Sequence, residues 1–139
     1  MITQELKSKE EMFCAYDVLK HMYDSLSESQ YEEIIAKRAE ENYRMVGVFD
    51  NDKCVCAAGF WIGTRFYSGK FIQLDNLVTL PDYRSKGVGK MIVDYVKKIG
   101  KNEDCSRLLV DSYVENFDAH KFFFREGFII RGYHLNYQL

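Results

Sequence analysis

Six residues near the middle of the chain, Arg84-Ser85-Lys86-Gly87-Val88-Gly89, combine two cationic side chains with two glycines. They follow an apolar run, Leu74 to Leu80, that predicts a buried strand. Apolar residues at helical spacing follow, from Val88 to Ile99. The first turn of a helix has unpaired backbone N–H groups and the positive end of the helix dipole. The loop therefore predicts an anion site suited to a pyrophosphate, with Lys90 adding charge. An ordinary strand-to-helix turn with solvated lysines remains the alternative.

Two stretches together resemble a known family. The first is Arg-x-x-Gly-x-Gly after a strand that ends in Val-x-x-Pro-x-Tyr, and the second is Asn116-x-x-Ala119-x-x-Phe122-Phe123-x-x-x-Gly127-Phe128. They resemble, in order and separation, the two signatures of the GNAT superfamily of acyl-CoA N-acyltransferases. The resemblance covers roughly Leu74 to Phe128. It implies transfer of an acetyl group from acetyl-CoA to an amine.

The resemblance also implies which residues bind the co-substrate. In the superfamily the strand before the loop splays from its parallel neighbour, and its backbone binds the pantetheine arm and polarises the thioester carbonyl. By position, the implied cofactor-binding residues are Leu77, Val78, Thr79, Arg84, Ser85, Lys86, Gly87, Val88, Gly89, Lys90, Asn116 and Phe123.

A carboxylate near the start of that strand is the implied base. Asp75 lies nine residues before Arg84, at the position where the superfamily often has Glu. A carboxylate there accepts the proton of the acceptor amine, and because Asp is short a water relay is expected. The alternative is that Asp75 only holds neighbouring backbone.

The position of the general acid departs from the superfamily pattern. Many members have a tyrosine where this chain has Phe123, and a phenyl ring donates no proton. His120 and Tyr113 are the candidate acids, since His120 is three residues before Phe123 on the same helical face. The remaining alternatives are that the thiolate leaves unprotonated or that the domain is not a catalyst.

Composition limits the classes of protein. Hydrophobic residues make up 47% of 139 residues and proline occurs once, which predicts one globular domain spanning 1–139. A formal charge of −2 argues against a nucleic-acid partner. With no charged leader and no bilayer-length apolar run, we expect a cytoplasmic protein without a membrane partner. A homodimer is left open.

The four cysteines predict no metal site. Cys14, Cys54, Cys56 and Cys105 lie inside periodic segments without zinc-type spacing. We expect buried free thiols, with a redox or metal role for the Cys54-x-Cys56 pair as the minor alternative.

Hydrophobic periodicity predicts an α/β fold with a mixed sheet, in the order β-α-α-β-β-β-α-β-α-β. The prediction includes a first helix begun by Ser8, a second begun by Ser27, a central helix ended by Gly100 and a parallel strand from Arg107 to Tyr113. A last alternating strand is predicted from Phe128 to Tyr137. The resemblance implies the three-layer GNAT fold with a parallel central β4/β5 pair.

Three functions follow from these observations. The first is an acetyl-CoA-dependent N-acetyltransferase acting on a primary amine of a small molecule or peptide. The second is a non-catalytic acyl-CoA-binding or regulatory domain of the same fold, and the third is an interaction module whose loop binds another anion.

Overall fold

The computed structural model describes the whole chain, Met1–Leu139. It divides into two compact units, Met1–Leu109 and Val110–Leu139, and the prediction of a single domain stays a prediction. The strands are β1 (Ile2–Leu6), β2 (Arg44–Asp50), β3 (Lys53–Arg65), β4 (Gly69–Thr79) and β5 (Arg107–Val110). The helices are α1 (Lys9–Phe13), α2 (Tyr16–Leu19), α3 (Glu28–Glu40), α4 (Val88–Asn102) and α5 (Phe117–Arg125), with a short 3-10 turn at Pro81–Tyr83.

The five strands form one sheet in the order β1-β2-β3-β4-β5. The first three pairings are antiparallel, and β4 and β5 are parallel. The predicted α/β fold with its mixed sheet and parallel β4/β5 pair is therefore confirmed. None of the five helices combines the length and the hydropathy that a membrane crossing requires.

Helices cover both faces of the sheet. Neighbouring residues Met45 and Val46 point to opposite faces of β2, and both are buried. One core cluster joins Val18 of α2 and Tyr31 of α3 to the sheet. On α4 the buried residues Val88, Ile92, Val93, Val96 and Gly100 recur at helical spacing.

Local sequence signals place two helix starts correctly. Ser27 accepts from the backbone N–H of Gln30 at 3.2 Å, and the Gln30 side chain accepts from the backbone N–H of Ser27. This is the predicted capping box. Ser8 likewise accepts from the backbone N–H of Glu11. The helix begun by Ser8 is nonetheless shorter than predicted, because it divides into α1 and α2 at Cys14 and Ala15.

The predicted end of the central helix at Gly100 is wrong. The helix α4 continues to Asn102, and Gly100 is buried inside it. A Cβ on Gly100 would lie 2.9 Å from Cγ2 of Ile72 on β4. Gly100 is therefore a packing residue, which allows α4 to approach the sheet closely.

Two predicted strands also differ from the structure. The strand β5 ends at Val110 rather than at Tyr113, and residues 128–139 form no strand. The cysteine prediction is half right, because Cys54 and Cys56 are buried whereas Cys14 is exposed and Cys105 is half-buried. All four thiols are free.

Candidate active site

The anion loop lies where the sequence predicts it. The 3-10 turn ends at Tyr83, and Gly87 is the N-cap of α4 with φ of 78°. A positive φ favours glycine. No side chain caps the helix, and its first turn contains no acidic residue. A Cβ on Gly87 would meet no atom within 4 Å, so the space beside the N-terminal N–H groups of α4 is open.

The cations of the loop are not equivalent. The side chains of Arg84 and Lys86 are exposed, and the Lys86 ammonium lies 5.5 Å from the centre of the Tyr83 ring. In contrast, Lys90 forms a salt bridge of 2.9 Å with Asp94 one turn along α4. Arg84 and Lys86 are therefore the side chains best placed to bind an anion at this helix start.

The strand that leads into the loop contains a β-bulge. Gly59 of β3 pairs with Asp75 and Ala57 pairs with Val78, so β4 has one more residue than β3 over this span. Asn76, within the bulge, has φ of 53°, a conformation that asparagine tolerates better than most residues. The apolar run from Leu74 to Leu80 predicts a continuous strand without this bulge. The Asp75-Asn76 pair inside an apolar run was the available signal for the bulge.

The strand β5 covers only the first part of β4. The backbone N–H of Ser106, just before β5, donates to the carbonyl of Lys70 at 2.8 Å. Because β5 has four residues and is parallel to β4, it extends from this point along β4 about as far as Leu74. The backbone of Leu77, Val78 and Thr79 lies beyond this span, and its predicted binding of pantetheine stays a prediction.

A cavity of about 520 Å³ lies beside the bulge. It is lined by residues of α2, α3, β2, β4 and the segments that follow α2 and precede β2, among them Leu19, Tyr23, Tyr31, Ile34, Tyr43 and Asn76. Two charged side chains, Glu33 and Arg38, also line it. The lining is thus mainly apolar and aromatic, with one charge of each sign.

Hydrogen bonds connect Asp75 to this cavity. The Tyr43 hydroxyl lies 3.4 Å from Asp75 Oδ2, and it accepts from Nδ2 of Asn76 at 3.4 Å. Tyr23 donates its hydroxyl proton to the side-chain oxygen of Asn76. Arg38 Nη2 lies 3.8 Å from Asp75 Oδ2. Burial and then the charge of Asp75 raise the pKa of Tyr43 above its usual range, so Tyr43 remains a neutral hydroxyl.

No sequence motif identifies Tyr43, Arg38 and Asn76 as members of the site. Tyr43 reaches Asp75 because its ring lies against Gly59, where a Cβ would be 1.6 Å from the Tyr43 hydroxyl oxygen. Gly59 is the β3 residue that pairs with Asp75. No sequence spacing indicates this contact, since Tyr43 lies just before β2, Gly59 lies in β3 and Asp75 lies in β4.

The second unit contains the other predicted site residues. Asn116 is the N-cap of α5, and its Oδ1 accepts from the backbone N–H of Ala119 at 3.2 Å. The Nε2 of His120 lies 2.8 Å from the backbone carbonyl of Tyr113. A carbonyl only accepts, so Nε2 carries the proton of that hydrogen bond. The Tyr113 side chain is exposed.

Phe123 is packed among other aromatic rings. It is buried, with ring centres at 5.2 Å from Phe122 and 5.3 Å from Phe128. Its environment in this unit is therefore apolar, and it supplies no proton. The roles of Asp75, Tyr113, His120 and Phe123 stay predictions.

Comparisons with known proteins agree with the geometry. The model of the acetyltransferase (GNAT) family matches residues 8–128, so the chain belongs to this family. The uncharacterized N-acetyltransferase YhdJ of Bacillus subtilis (strain 168) is 26% identical over 132 residues, covering 94% of this chain and 93% of YhdJ.

Solved structures show the same fold. The aminoglycoside N-acetyltransferase AAC(6')-Iy, solved with CoA, has a TM-score of 0.88 at 16% identity, covering 99% of this chain and 93% of that one. The ribosomal-protein-alanine N-acetyltransferase of Brucella melitensis biovar Abortus 2308 has a TM-score of 0.84 at 13% identity, and both chains are fully covered. The names of these two proteins indicate different acceptors on one fold.

Proposed function

We propose that this protein is an N-acetyltransferase that transfers an acetyl group from acetyl-CoA to a primary amine of a small molecule or peptide. The observation that carries the proposal is the arrangement along β4. Asn76 lines a cavity at the bulge, and after Thr79 the chain passes through the 3-10 turn to the open N-terminus of α4, which is flanked by Arg84 and Lys86.

The residues present suit an acyl-CoA. Arg84, Lys86 and the first N–H groups of α4 would hold the pyrophosphate. The backbone of residues 77–79 would hold the pantetheine arm and hydrogen-bond the thioester carbonyl. Bound acetyl-CoA supplies the activated acetyl group. The protein provides orientation of the two substrates and donors aimed at the carbonyl oxygen.

Asp75 would act as the base that accepts a proton from the acceptor amine. An alkyl ammonium must lose a proton before it attacks, and a carboxylate within reach of the cavity accepts that proton directly or through water. Asp75 is joined to the cavity by Tyr43 and Asn76. The Tyr43 hydroxyl stays protonated, so it orients the carboxylate and does not compete as a base.

The cavity favours an amine with a single positive charge and an apolar body. Its volume suits a ligand of drug-like size, and its aromatic and aliphatic lining matches apolar groups. Binding of a polycation would need several carboxylates, whereas Glu33 is the one carboxylate among the lining residues, which also include the cation Arg38. We therefore expect arylalkyl monoamines to be better acceptors than aminoglycosides or polyamines.

The second candidate is a non-catalytic acyl-CoA-binding domain, and Phe123 is the observation that favours it. At the position of Phe123 in α5 there is no hydroxyl group that could protonate the leaving thiolate. The His120 Nε2–H is engaged with the Tyr113 carbonyl, so His120 would act as an acid only with a second proton on Nδ1.

Release of free thiol from acetyl-CoA tests the proposal, with phenethylamine, spermidine, kanamycin and an alanyl peptide as acceptors and a no-amine control. Amine-dependent release, greatest with phenethylamine, is expected. Greatest release with kanamycin or spermidine would contradict the acceptor class while supporting the enzyme. Calorimetric CoA binding without any release would identify the binding domain. Absence of both would exclude the two CoA-dependent functions.

A further inference from the structure

Asn76, the residue after Asp75, has a backbone conformation that needs support from its surroundings. Its φ of 53° lies in the left-handed region, where residues other than glycine are uncommon and persist only when neighbouring groups hold them. The two residues are joined by one peptide bond at the bulge of β4, so a change in the backbone of Asn76 would also turn Asp75. Groups that hold Asn76 therefore also position Asp75.

Two tyrosines hold the side chain of Asn76. The Tyr23 hydroxyl donates to Asn76 Oδ1, and Asn76 Nδ2 donates to the Tyr43 hydroxyl at 3.4 Å. The Tyr43 hydroxyl in turn donates to Asp75 Oδ2 at 3.4 Å. Tyr23 belongs to the segment between α2 and α3, and it lines the cavity together with Asn76. These hydrogen bonds therefore lead from the cavity wall to the carboxylate.

The chemistry of the donors and acceptors gives this series a single direction. An ionised carboxylate only accepts, so the one hydroxyl proton of Tyr43 goes to Asp75. The Tyr43 oxygen can then only accept from Asn76, which must present its NH₂ group there. The amide oxygen of Asn76 consequently faces the Tyr23 hydroxyl. Loss of that hydroxyl would permit a half turn of the amide, after which Asn76 Oδ1 could accept the Tyr43 proton in place of Asp75.

We propose that Tyr23 is a positioning residue for Asp75 and that it acts through the side chain of Asn76. The inference rests on the proposed function, in which Asp75 accepts a proton from the acceptor amine. By fixing the Asn76 amide, the Tyr23 hydroxyl keeps the Tyr43 proton on Asp75 Oδ2. The carboxylate is thereby held in one orientation, while its other lone pairs can accept from the amine or from a water molecule.

The charged group that faces Asp75 from α3 does not depend on Tyr23. Arg38 Nη2 lies 3.8 Å from Asp75 Oδ2. Its guanidinium is held by Glu41 at 2.8 Å and lies 4.1 Å from the centre of the Tyr43 ring. Removal of the Tyr23 hydroxyl leaves these contacts in place, so its effect can be measured separately from the attraction between Arg38 and Asp75.

Tyr23→Phe keeps the ring in the cavity wall and removes only the hydroxyl. We expect kcat to fall about tenfold at saturating acetyl-CoA, with KM changed less than about twofold for the acceptor that gives the most thiol release. Tyr16→Phe is the matched control, because the Tyr16 hydroxyl holds the same segment through the Leu26 carbonyl at 2.7 Å. This control should leave kcat within about twofold. An equal loss in both variants would mean that Tyr23 only holds the segment, and it would overturn the inference.

A double-mutant cycle tests whether Tyr23 acts through Asn76. Asn76→Gly removes the amide, and glycine adopts a positive φ readily. We expect this change to lower kcat about as much as Tyr23→Phe does. Combining the two changes should lower kcat by less than about a further twofold, because both interrupt the same series of hydrogen bonds. Losses that multiply to about 10²-fold in the double variant would show independent actions and overturn the inference.

Nuclear magnetic resonance of the protein without substrates tests the inference independently of activity, through the carboxyl carbon signal of Asp75 as a function of pH. Loss of a hydrogen bond to the charged carboxylate favours its protonation. The titration midpoint in Tyr23→Phe should therefore lie about half a pH unit above that of the unchanged protein and of Tyr16→Phe. An unchanged midpoint in Tyr23→Phe would overturn the inference. This shift in a protein that releases no thiol would support the positioning role and contradict the proposed function.

Discussion

Removing the Arg84 guanidinium should weaken CoA binding without affecting the fold, because the side chain is exposed at the open N-terminus of α4. A charge-assisted hydrogen bond to phosphate contributes about 1.5–3 kcal/mol in favourable sites. Solvent screening at this exposed loop reduces the value to about 1 kcal/mol. Arg84→Ala and Lys86→Ala should therefore each raise the dissociation constant about fivefold.

The salt bridge of Lys90 predicts a smaller effect at that position. Lys90 is 2.9 Å from Asp94, so the pair contributes little net charge to the loop. The double change Lys90→Ala with Asp94→Asn removes both charges, and it should change the dissociation constant less than about twofold. Lys101→Ala, in the last turn of α4, is the control for loss of one positive charge from the same helix.

Isothermal titration calorimetry with CoA at about 0.1 M and 1 M salt distinguishes contact from long-range attraction. The Debye length falls from about 10 Å to about 3 Å over this range, so a purely long-range effect should vanish at high salt. Unchanged affinity in both Arg84→Ala and Lys86→Ala would refute the assignment of the loop. An equal loss in Lys101→Ala would show that only net charge matters.

Three further predictions concern the base, the thiols and the acid. Asp75→Asn should lower the rate of acetyl transfer about 10²-fold or more while CoA affinity is preserved, as read from thiol release and calorimetry. Burial raises the pKa of Cys54 to about 12, so at pH 8 thiol reagents should label exposed Cys14 and leave Cys54 unmodified. The unfolded chain releases the Cys54 proton near pH 9 but the folded chain retains it, so this residue's contribution to stability should fall between pH 9 and pH 12. If the thiolate leaves unprotonated, Phe123→Tyr and His120→Ala should both leave turnover nearly unchanged. Both variants are measured by their turnover at saturating acetyl-CoA.

Each of these predictions has a contradicting result. Activity of Asp75→Asn equal to that of the unchanged protein would assign Asp75 a role in holding backbone. Rapid labelling of Cys54 in the folded state would show that its burial is incomplete. A rate gain of about 10²-fold or more in Phe123→Tyr would show that the native site lacks an acid, and a large loss in His120→Ala with the fold verified would make His120 the acid.

Signals local in sequence predicted much of the fold. The capping residues Ser8 and Ser27 mark real helix starts because a cap depends on residues within one turn. The anion loop was predicted for the same reason, since a strand, two glycines and a helix start are adjacent in the chain. These features need no knowledge of distant contacts.

The errors arose where distant residues decide the outcome. Gly100 has the sequence signature of a helix end, but contact with Ile72 makes it a buried residue of a longer helix. The sequence pattern from Phe128 to Tyr137 indicates a strand, but a strand also needs a partner to pair with, and the pattern does not specify one. For this reason the segment has the sequence of a strand but forms none in the structure.

The sequence by itself determined the family, the anion loop and the approximate positions of the elements, because these depend on short motifs and hydrophobic period. The tertiary structure decided how Asp75 is held. The bulge at Asn76, the absence of a side chain at Gly59 and the burial of Tyr43 bring together residues of β4, of β3 and of the segment just before β2, which are not adjacent in the chain. Such a site depends on register and close packing, and neither is encoded in the spacing of any single motif.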